Sequence, residues 1–334
     1  MHKSFIRPWT ERVFTALPGN HMAIGCGFFL LMLLSFLLGR YLVDGGVRSN
    51  QGDFRLTLIH LLLAAYSASA YAYVLSAARN TAIVLKPLIA PTEKAKLLTE
   101  RIGKHLWWGL LLAGLSGLLI NIYATNITTT GSDPWVWDDN NYDSLWMRVL
   151  GLFMTWCLGC FFYVLVVESA RFSNLCENIA ELDIFDLAPF QPLLRQGLTH
   201  ALLVVGGSSI LALFLLEPGY FWLMVQLLTL FAIFAWIGLM LPLRGIRHRI
   251  HGAKETEMNW CRQALKQARI ALKSDAAGGK SISEIAAYKT LIEDVRNLPF
   301  DNPTLGRFGL YLLIPIGSMF GGAFVERGLD LFLN

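Results

Sequence analysis

The chain has 334 residues, of which 54% are hydrophobic and only 16% are charged, and its formal net charge is +4. Soluble domains carry about 25% charged residues, and the apolar excess here lies in runs close to the roughly 20 residues that cross a bilayer. This composition excludes an ordinary soluble globular protein. We predict an all-α, polytopic transmembrane helical bundle, because segments of this length in lipid must satisfy their backbone hydrogen bonds within a helix.

Apolar runs predict six membrane spans and a seventh apolar segment. The six spans are placed at 22–43, 56–78, 106–123, 147–167, 198–216 and 220–241. The seventh segment, 308–325, contains Pro315 and the pair Gly317 and Gly321, and it is predicted either to cross as a kinked span or to re-enter the membrane. The predicted parts of the chain are an N-terminal interfacial segment (1–21), the six-span bundle (22–243), a cytoplasmic helical hairpin (244–307) and a C-terminal transmembrane or re-entrant segment (308–334).

Basic residues predict the orientation of the chain. If the N-terminus is cytoplasmic, all but five of the 28 lysines and arginines fall on the inner side, as the positive-inside rule requires. The five exceptions are Arg40, Arg48, Arg55, Arg148 and Arg327. The sequence therefore predicts an integral protein of a bacterial inner membrane, whose basic inner face meets anionic membrane lipids rather than nucleic acid.

Sequence motifs for catalysis and for cofactor binding are missing. No H-E-x-x-H, G-x-S-x-G, Walker or dinucleotide glycine pattern occurs. Cys157 and Cys160 form a C-x-x-C pair inside a predicted span, where a thiolate is strongly disfavoured, so we interpret them as packing residues. His60, His105 and His200 each stand alone and are interpreted as structural. We expect a protein that is not an enzyme and that holds no cofactor or metal ion.

Small and hydroxyl-bearing residues mark the second and fifth spans. In the second span, Ser67, Ser69 and Tyr71 lie among alanines that recur every four positions, and in the fifth span Ser208 and Ser209 follow two glycines. Such residues either let helices pack closely or line a wet path. A pore predicts that the two polar faces converge on one water-accessible surface, whereas a non-conducting protein predicts that they are dry.

The sequence turns abruptly from apolar to basic after the sixth span, at Pro242. Apolar residues then recur every three or four positions, which predicts an amphipathic helix. Pro242, Arg247 and Arg249 are candidate hinge and regulatory residues at its start, and Trp260 is a candidate contact residue further along. A Pro after a membrane helix, followed by a basic amphipathic helix, resembles the start of a HAMP linker. A HAMP linker leads to an output domain, however, whereas this sequence returns to an apolar segment.

A second helix is predicted after the first. Gly278 and Gly279 predict the end of the first helix, and the capping box formed by Ser281 and Glu284 predicts the start of the next. We expect the two to pair, as in a short coiled coil, as the cytoplasmic helical hairpin. The acidic connection between the fourth and fifth spans is expected to lie beside the basic helix, where each exposed ion pair contributes only about 0–1 kcal/mol.

Two hypotheses for function follow from these features. The leading one is a non-enzymatic, oligomeric, channel-like or gated pore, in which the hairpin biases opening and Gly317 and Gly321 let copies of the chain approach closely. The alternative is a membrane scaffold or sensory adaptor whose hairpin binds a partner protein. The adaptor predicts that the hairpin exposes Trp260 and Ile270.

Overall fold

In the residues that it describes, the computed structural model of the chain is mainly α-helical, with one short pair of strands. It describes residues 5–44, 51–128, 142–179, 182–216, 220–273, 279–295, 309–311, 313–315 and 317. Its α-helices are α1 (Trp9–Ala16), α2 (His21–Asp44), α3 (Gln51–Leu85), α4 (Glu93–Arg101), α5 (Trp107–Thr128), α6 (Tyr142–Cys176), α7 (Gln191–Leu211), α8 (Phe221–Lys273) and α9 (Gly279–Asp294). Strand β1 (Phe5–Ile6) pairs antiparallel with β2 (His105–Leu106).

Six helices in the described ranges are long and apolar enough to cross a membrane, which confirms the predicted class of fold. The candidate spans are His21–Leu42, Phe54–Leu88, Trp107–Asn126, Trp146–Cys176, Ala188–Leu215 and Phe221–Ile270. The second, fourth, fifth and sixth extend past the predicted apolar run at the end predicted to be cytoplasmic, because helical hydrogen bonding continues beyond the last apolar residue. The predicted seventh segment, 308–325, falls mostly outside the described residues.

Helices α3 and α6 form the centre of the bundle. Helix α3 contacts α1, α2, α6 and α7, and α6 contacts α3, α5 and α8. Their facing side chains include Leu61, Leu75, Leu165 and Phe172, which are fully buried. Helices α2 and α5 lie at the periphery with mostly exposed apolar side chains, as expected of helices that face lipid.

Close backbone contact joins α5 to α6. Gly117 and Gly159 occupy positions where an added Cβ would overlap a backbone carbonyl of the facing helix. Cys157 and Cys160, on either side of Gly159, are buried free thiols, and Cys160 Sγ lies 3.5 Å from the carbonyl oxygen of Leu110. This arrangement agrees with the interpretation of the C-x-x-C pair as packing residues.

Helix α8 continues without a break from Phe221 to Lys273, so the predicted boundary between bundle and hairpin lies inside one helix. Its 53 residues make it about 80 Å long, at 1.5 Å per residue. Pro242 lies within it and removes one backbone hydrogen bond, because Pro has no N–H. Gly245, three residues later, lies against the carbonyl of Ser173 in α6. The bundle therefore supports α8 where the Pro weakens it.

Candidate functional site

A buried carboxylate lies where α6 meets the turn between α4 and α5. Glu168 is completely buried, and its Oε1 accepts hydrogen bonds from Arg171 Nη1 at 2.7 Å and from the N–H of Gly103 at 3.1 Å. The same oxygen lies 3.0 Å from His105 Nε2. Gly103 has a φ of +75°, which glycine adopts without strain and which turns its N–H toward the carboxylate. We call Glu168, Arg171, His105 and Gly103 the Glu168 cluster.

The Glu168 cluster also fixes the N-terminal segment to the bundle. Arg79 of α3 donates through Nη2 to the carbonyl oxygen of Gly103 at 3.3 Å, and it forms an ion pair with the buried Glu11 of α1. Arg171 donates to the carbonyl oxygen of Arg101 at 2.7 Å, just before the turn. The pairing of β1 with β2 adds a further connection next to His105. One turn thus joins α1, α3, α4 and α6.

A second polar network connects α6, α7 and α3. Thr81 Oγ1 donates to Gln196 Oε1 at 3.0 Å, which directs the amide nitrogen of Gln196 to His200 Nε2 at 2.7 Å. His200 Nδ1 lies 3.1 Å from Ser169 Oγ. His200 thus connects Ser169 of α6 with Gln196 of its own helix, and Thr81 extends the network to α3.

His105 and His200, interpreted as structural from the sequence, both lie next to polar partners in the structure. His105 lies beside Glu168, and His200 lies between Ser169 and Gln196, although each histidine comes from a different element than its α6 partner. Hydropathy alone gave no signal for these contacts, because Glu168 stands at the end of an apolar run and reads as a span boundary. An ionisable residue at a buried span end is a reason to look for a partner.

The polar residues predicted in the second and fifth spans lie in packed protein. Ser67, Tyr71 and Ser208 are buried, whereas Ser69 and Ser209 are partly buried. The four serine hydroxyls each donate to a backbone carbonyl one turn earlier in their own helix, at 2.7 to 2.9 Å. Each of these hydroxyls thus has a hydrogen-bond acceptor without any contribution from water.

The polar faces of α3 and α7 do meet, and an aromatic ring fills the contact. Tyr66 Oη donates to the carbonyl oxygen of Leu203 at 2.6 Å. Gly206 and Gly207 lie against the Tyr66 side chain, and an added Cβ at Gly206 would overlap its hydroxyl. The glycines of the fifth span thus make room for a ring. Within one chain, the contact between α3 and α7 is therefore filled by the Tyr66 ring, as in close helix packing.

The sequence predicts that Gly317 and Gly321 let copies of the chain approach closely, and this stays a prediction. Gly317 is described, and an added Cβ there would meet nothing within 4 Å among the residues that the structure describes. Gly321 lies outside the described residues.

Helix α9 lies along the C-terminal part of α8. Cys261 of α8 and Ile292 of α9 are fully buried at their contact, together with Ile184 from the segment between α6 and α7. We call residues 244–273 of α8 together with α9 the helix pair. The acidic segment thus lies beside α8 as expected, but it touches the pair through Ile184. Its Asp183 and Asp186 carboxylates accept from backbone N–H groups of their own loop.

An aromatic group lies on the outside of the helix pair. Tyr288 lies between Trp260 and Phe185, with ring centroids 6.0 and 6.1 Å apart, and its hydroxyl donates to Glu257 Oε2 at 3.2 Å. Partial burial and the nearby Glu257 carboxylate raise the pKa of the Tyr288 phenol, which therefore stays protonated as a donor at neutral pH. Trp260 remains 53% exposed.

The hinge and regulatory candidates occupy different surroundings. Pro242 is buried inside α8. Arg249 donates through Nη2 to the carbonyl oxygen of Ile179 at 2.9 Å, which ties α8 to the end of the α6 segment. Arg247 is exposed. Arg249 is therefore a second point, after Gly245, at which α8 is held beyond Pro242.

Lys254 closes the helix pair by binding the end of α9. Its Nζ donates to the carbonyl oxygens of Glu293 and Val295, at 2.7 and 2.9 Å, where a helix end leaves carbonyls without partners. We expect Lys254→Met, which keeps the aliphatic stem, to weaken the pairing by about 1 kcal/mol, equivalent to about a fivefold larger open population. The measurement is the rate of maleimide labelling of Cys261, quantified by peptide mass spectrometry.

Lys266→Met is the matched control for Lys254→Met, because Lys266 is an exposed residue of the same helix. It should leave the labelling rate of Cys261 within twofold of the original. Equal labelling in both variants would contradict the role given to Lys254.

Neither similarity to known proteins nor a metal-binding group identifies the function of this chain. Comparison with protein-family models, curated proteins and solved structures found no match. Across the part of the chain that the structure describes, no group of three or more His, Cys, Asp or Glu is arranged to hold a metal ion. The function therefore has to be inferred from the chain's own geometry.

Proposed function

We propose that this chain is a non-enzymatic membrane scaffold or adaptor, in which the six-helix bundle holds the helix pair in the cytoplasm for a partner protein. The continuity of α8 from span to helix pair is the observation that carries the proposal. Gly245 against α6 and Arg249 on Ile179 fix α8 beyond the membrane-spanning part. Such a construction sets the position of the helix pair relative to the bilayer.

Exposed apolar side chains on the helix pair supply a surface for a partner. Trp260, Ile270 and Leu291 are each more than half exposed. Tryptophan and tyrosine are the residues that most often dominate the energetics of protein interfaces. The Trp260–Tyr288 contact holds one such aromatic group on rigid helices, so little side-chain freedom is lost when a partner binds.

The charge distribution supports a cytoplasmic location for this surface. All twelve basic residues from Arg244 to Arg307 follow the sixth span and precede the last apolar segment. Positive charge of this density next to a span favours the inner side of a bacterial inner membrane, with the N-terminus also inside. In the same orientation, segment 308–325 returns to the membrane and either crosses it or re-enters it.

The contacts within the bundle favour the adaptor over the channel-like pore. A pore needs polar groups that face water, and the candidates were Ser67, Ser69, Tyr71, Ser208 and Ser209. Their burial, the local hydrogen bonds of the serines and the Tyr66 ring at the α3–α7 contact support a dry bundle. A homo-oligomer stays a prediction that is compatible with either function.

Ion flux across liposome membranes that contain the chain tests the adaptor against the channel-like pore. We expect the purified, folded chain to give no cation or anion flux above protein-free liposomes, and we expect the same after residues 252–298 are replaced by a short Gly/Ser linker. Helical content measured by circular dichroism controls for folding in both forms. Sustained flux from either form would refute the adaptor and return the pore to first place.

A further inference from the structure

One outward face of α8 changes from apolar to basic where the helix leaves the membrane-spanning region. Its apolar part forms a groove of about 390 Å³, lined by residues that include Trp236, Met240 and Leu243. Arg244 and Arg247 line the end of the groove that points toward the helix pair. Trp236, Met240, Arg244 and Arg247 are three or four residues apart, so they share one side of the helix. Trp236 is 56% exposed on this side.

A basic cavity of about 430 Å³ adjoins the groove. It is lined by Arg244, Arg247, His248 and His251 of α8 and by Glu177, which follows α6. The two arginines line both the groove and the cavity. Both are exposed, so their guanidinium groups are accessible to a ligand from outside.

The charges of the lining residues favour an anionic ligand. Two guanidinium groups face one lining carboxylate, that of Glu177. His251 Nε2 lies 3.2 Å from Glu255 Oε1 on the same helix, and Glu255 does not line the cavity. Guanidinium groups bind phosphate oxygens with paired, charge-assisted hydrogen bonds. The cavity thus suits a phosphate group.

We infer that the groove and the cavity together bind one membrane phospholipid with an anionic headgroup. Its phosphate lies at Arg244 and Arg247, and one acyl chain lies along the groove beside Trp236 and Met240. A free phosphate would leave the apolar groove without a contact, and a lipid with a neutral headgroup would leave the excess positive charge of the cavity unpaired. The junction at Leu243 and Arg244 is the level at which a headgroup meets its acyl chains. This binding site does not depend on whether the helix pair binds a protein.

Native mass spectrometry of the full chain in detergent tests the inference. Dioleoyl phosphatidylglycerol and dioleoyl phosphatidylcholine, with identical acyl chains, are added separately. We expect phosphatidylglycerol to bind at least tenfold more tightly than phosphatidylcholine. Arg244→Gln with Arg247→Gln should remove this preference. The matched control is Arg262→Gln with Arg269→Gln, which removes the same two charges from exposed positions further along α8 and should leave the preference within twofold of the original.

Three outcomes would overturn the inference. One is equal binding of the two lipids by the unmodified chain, and another is an equal loss in the control variant, which would indicate general charge attraction. The third is competition by sn-glycerol 3-phosphate at similar concentrations, which would indicate a site for a free phosphate. If the double variant does not fold, the single change Arg247→Gln tests the inference. We expect it to reduce the preference for phosphatidylglycerol by about threefold.

Discussion

Replacing Glu168 by Ala is expected to lower the free energy of unfolding by about 3 kcal/mol, which is typical when one partner of a buried charge pair is removed. The change removes the carboxylate that accepts from Arg171 and from the N–H of Gly103, at a position where Glu168 is completely buried. It also frees the turn that joins α1, α3, α4 and α6. The measurement is an equilibrium unfolding titration of the full chain in detergent micelles.

Glu177→Ala is the matched control for Glu168→Ala. Glu177 is an exposed carboxylate just beyond the same helix, and a surface substitution of this kind changes stability by about 0.5 kcal/mol or less. Similar losses in the two variants would mean that Glu168 is not a structural centre of the bundle.

Gly245→Ala and Gly252→Ala should change stability in opposite directions. An added Cβ at Gly245 would overlap the carbonyl of Ser173 in α6, so α8 has to move, at a cost of about 1–3 kcal/mol. At Gly252, about two turns further along, an added Cβ meets nothing within 4 Å among the described residues. Alanine is there the better helix former, and we expect a gain of about 0.5–1 kcal/mol.

The two glycine variants are compared in the same unfolding titration, and each serves as the control for the other. Labelling of Cys261 by maleimide reports in addition whether the helix pair stays closed. A loss at Gly252 as large as that at Gly245 would show that α8 does not rest on α6 in the way described.

The six spans could be predicted from the sequence because hydropathy is a local property of each segment. A second helix was also predicted, but its start was misplaced: α9 begins at Gly279, which was predicted to end the first helix, and Ser281, the predicted cap, lies inside it. The unbroken course of α8 could not be predicted from the sequence. Pro is favoured in the first turn of a helix and disfavoured in its interior, so Pro242 indicated a helix start, whereas α8 runs through it and lies against α6 at Gly245.

The Glu168 cluster lay beyond sequence reasoning for a different reason. Its members come from α6 and from the turn before α5, and nothing local to either segment indicates that they meet. A carboxylate at the end of an apolar run is equally typical of a helix end in solvent and of a residue buried against a charged partner. The three-dimensional arrangement selects the second.

The hydroxyls of α3 and α7 illustrate how an apolar helix accommodates serine. A serine can donate to the carbonyl three or four residues earlier, so its polarity is satisfied within the helix. Ser67 and Ser208 do this while buried. A polar stripe in a span is therefore not by itself evidence of a water path.

Photo-crosslinking from position 260 in intact cells tests the central claim most directly. A photoreactive amino acid replaces Trp260 in one variant, and in a second it replaces Leu38, an exposed residue of the lipid-facing α2. The adaptor predicts a discrete protein adduct from position 260 that is absent from position 38 and is lost when Ile292→Asp separates α9 from α8. The same adducts from both positions, or an adduct from position 260 that survives Ile292→Asp, would contradict a partner surface on the helix pair.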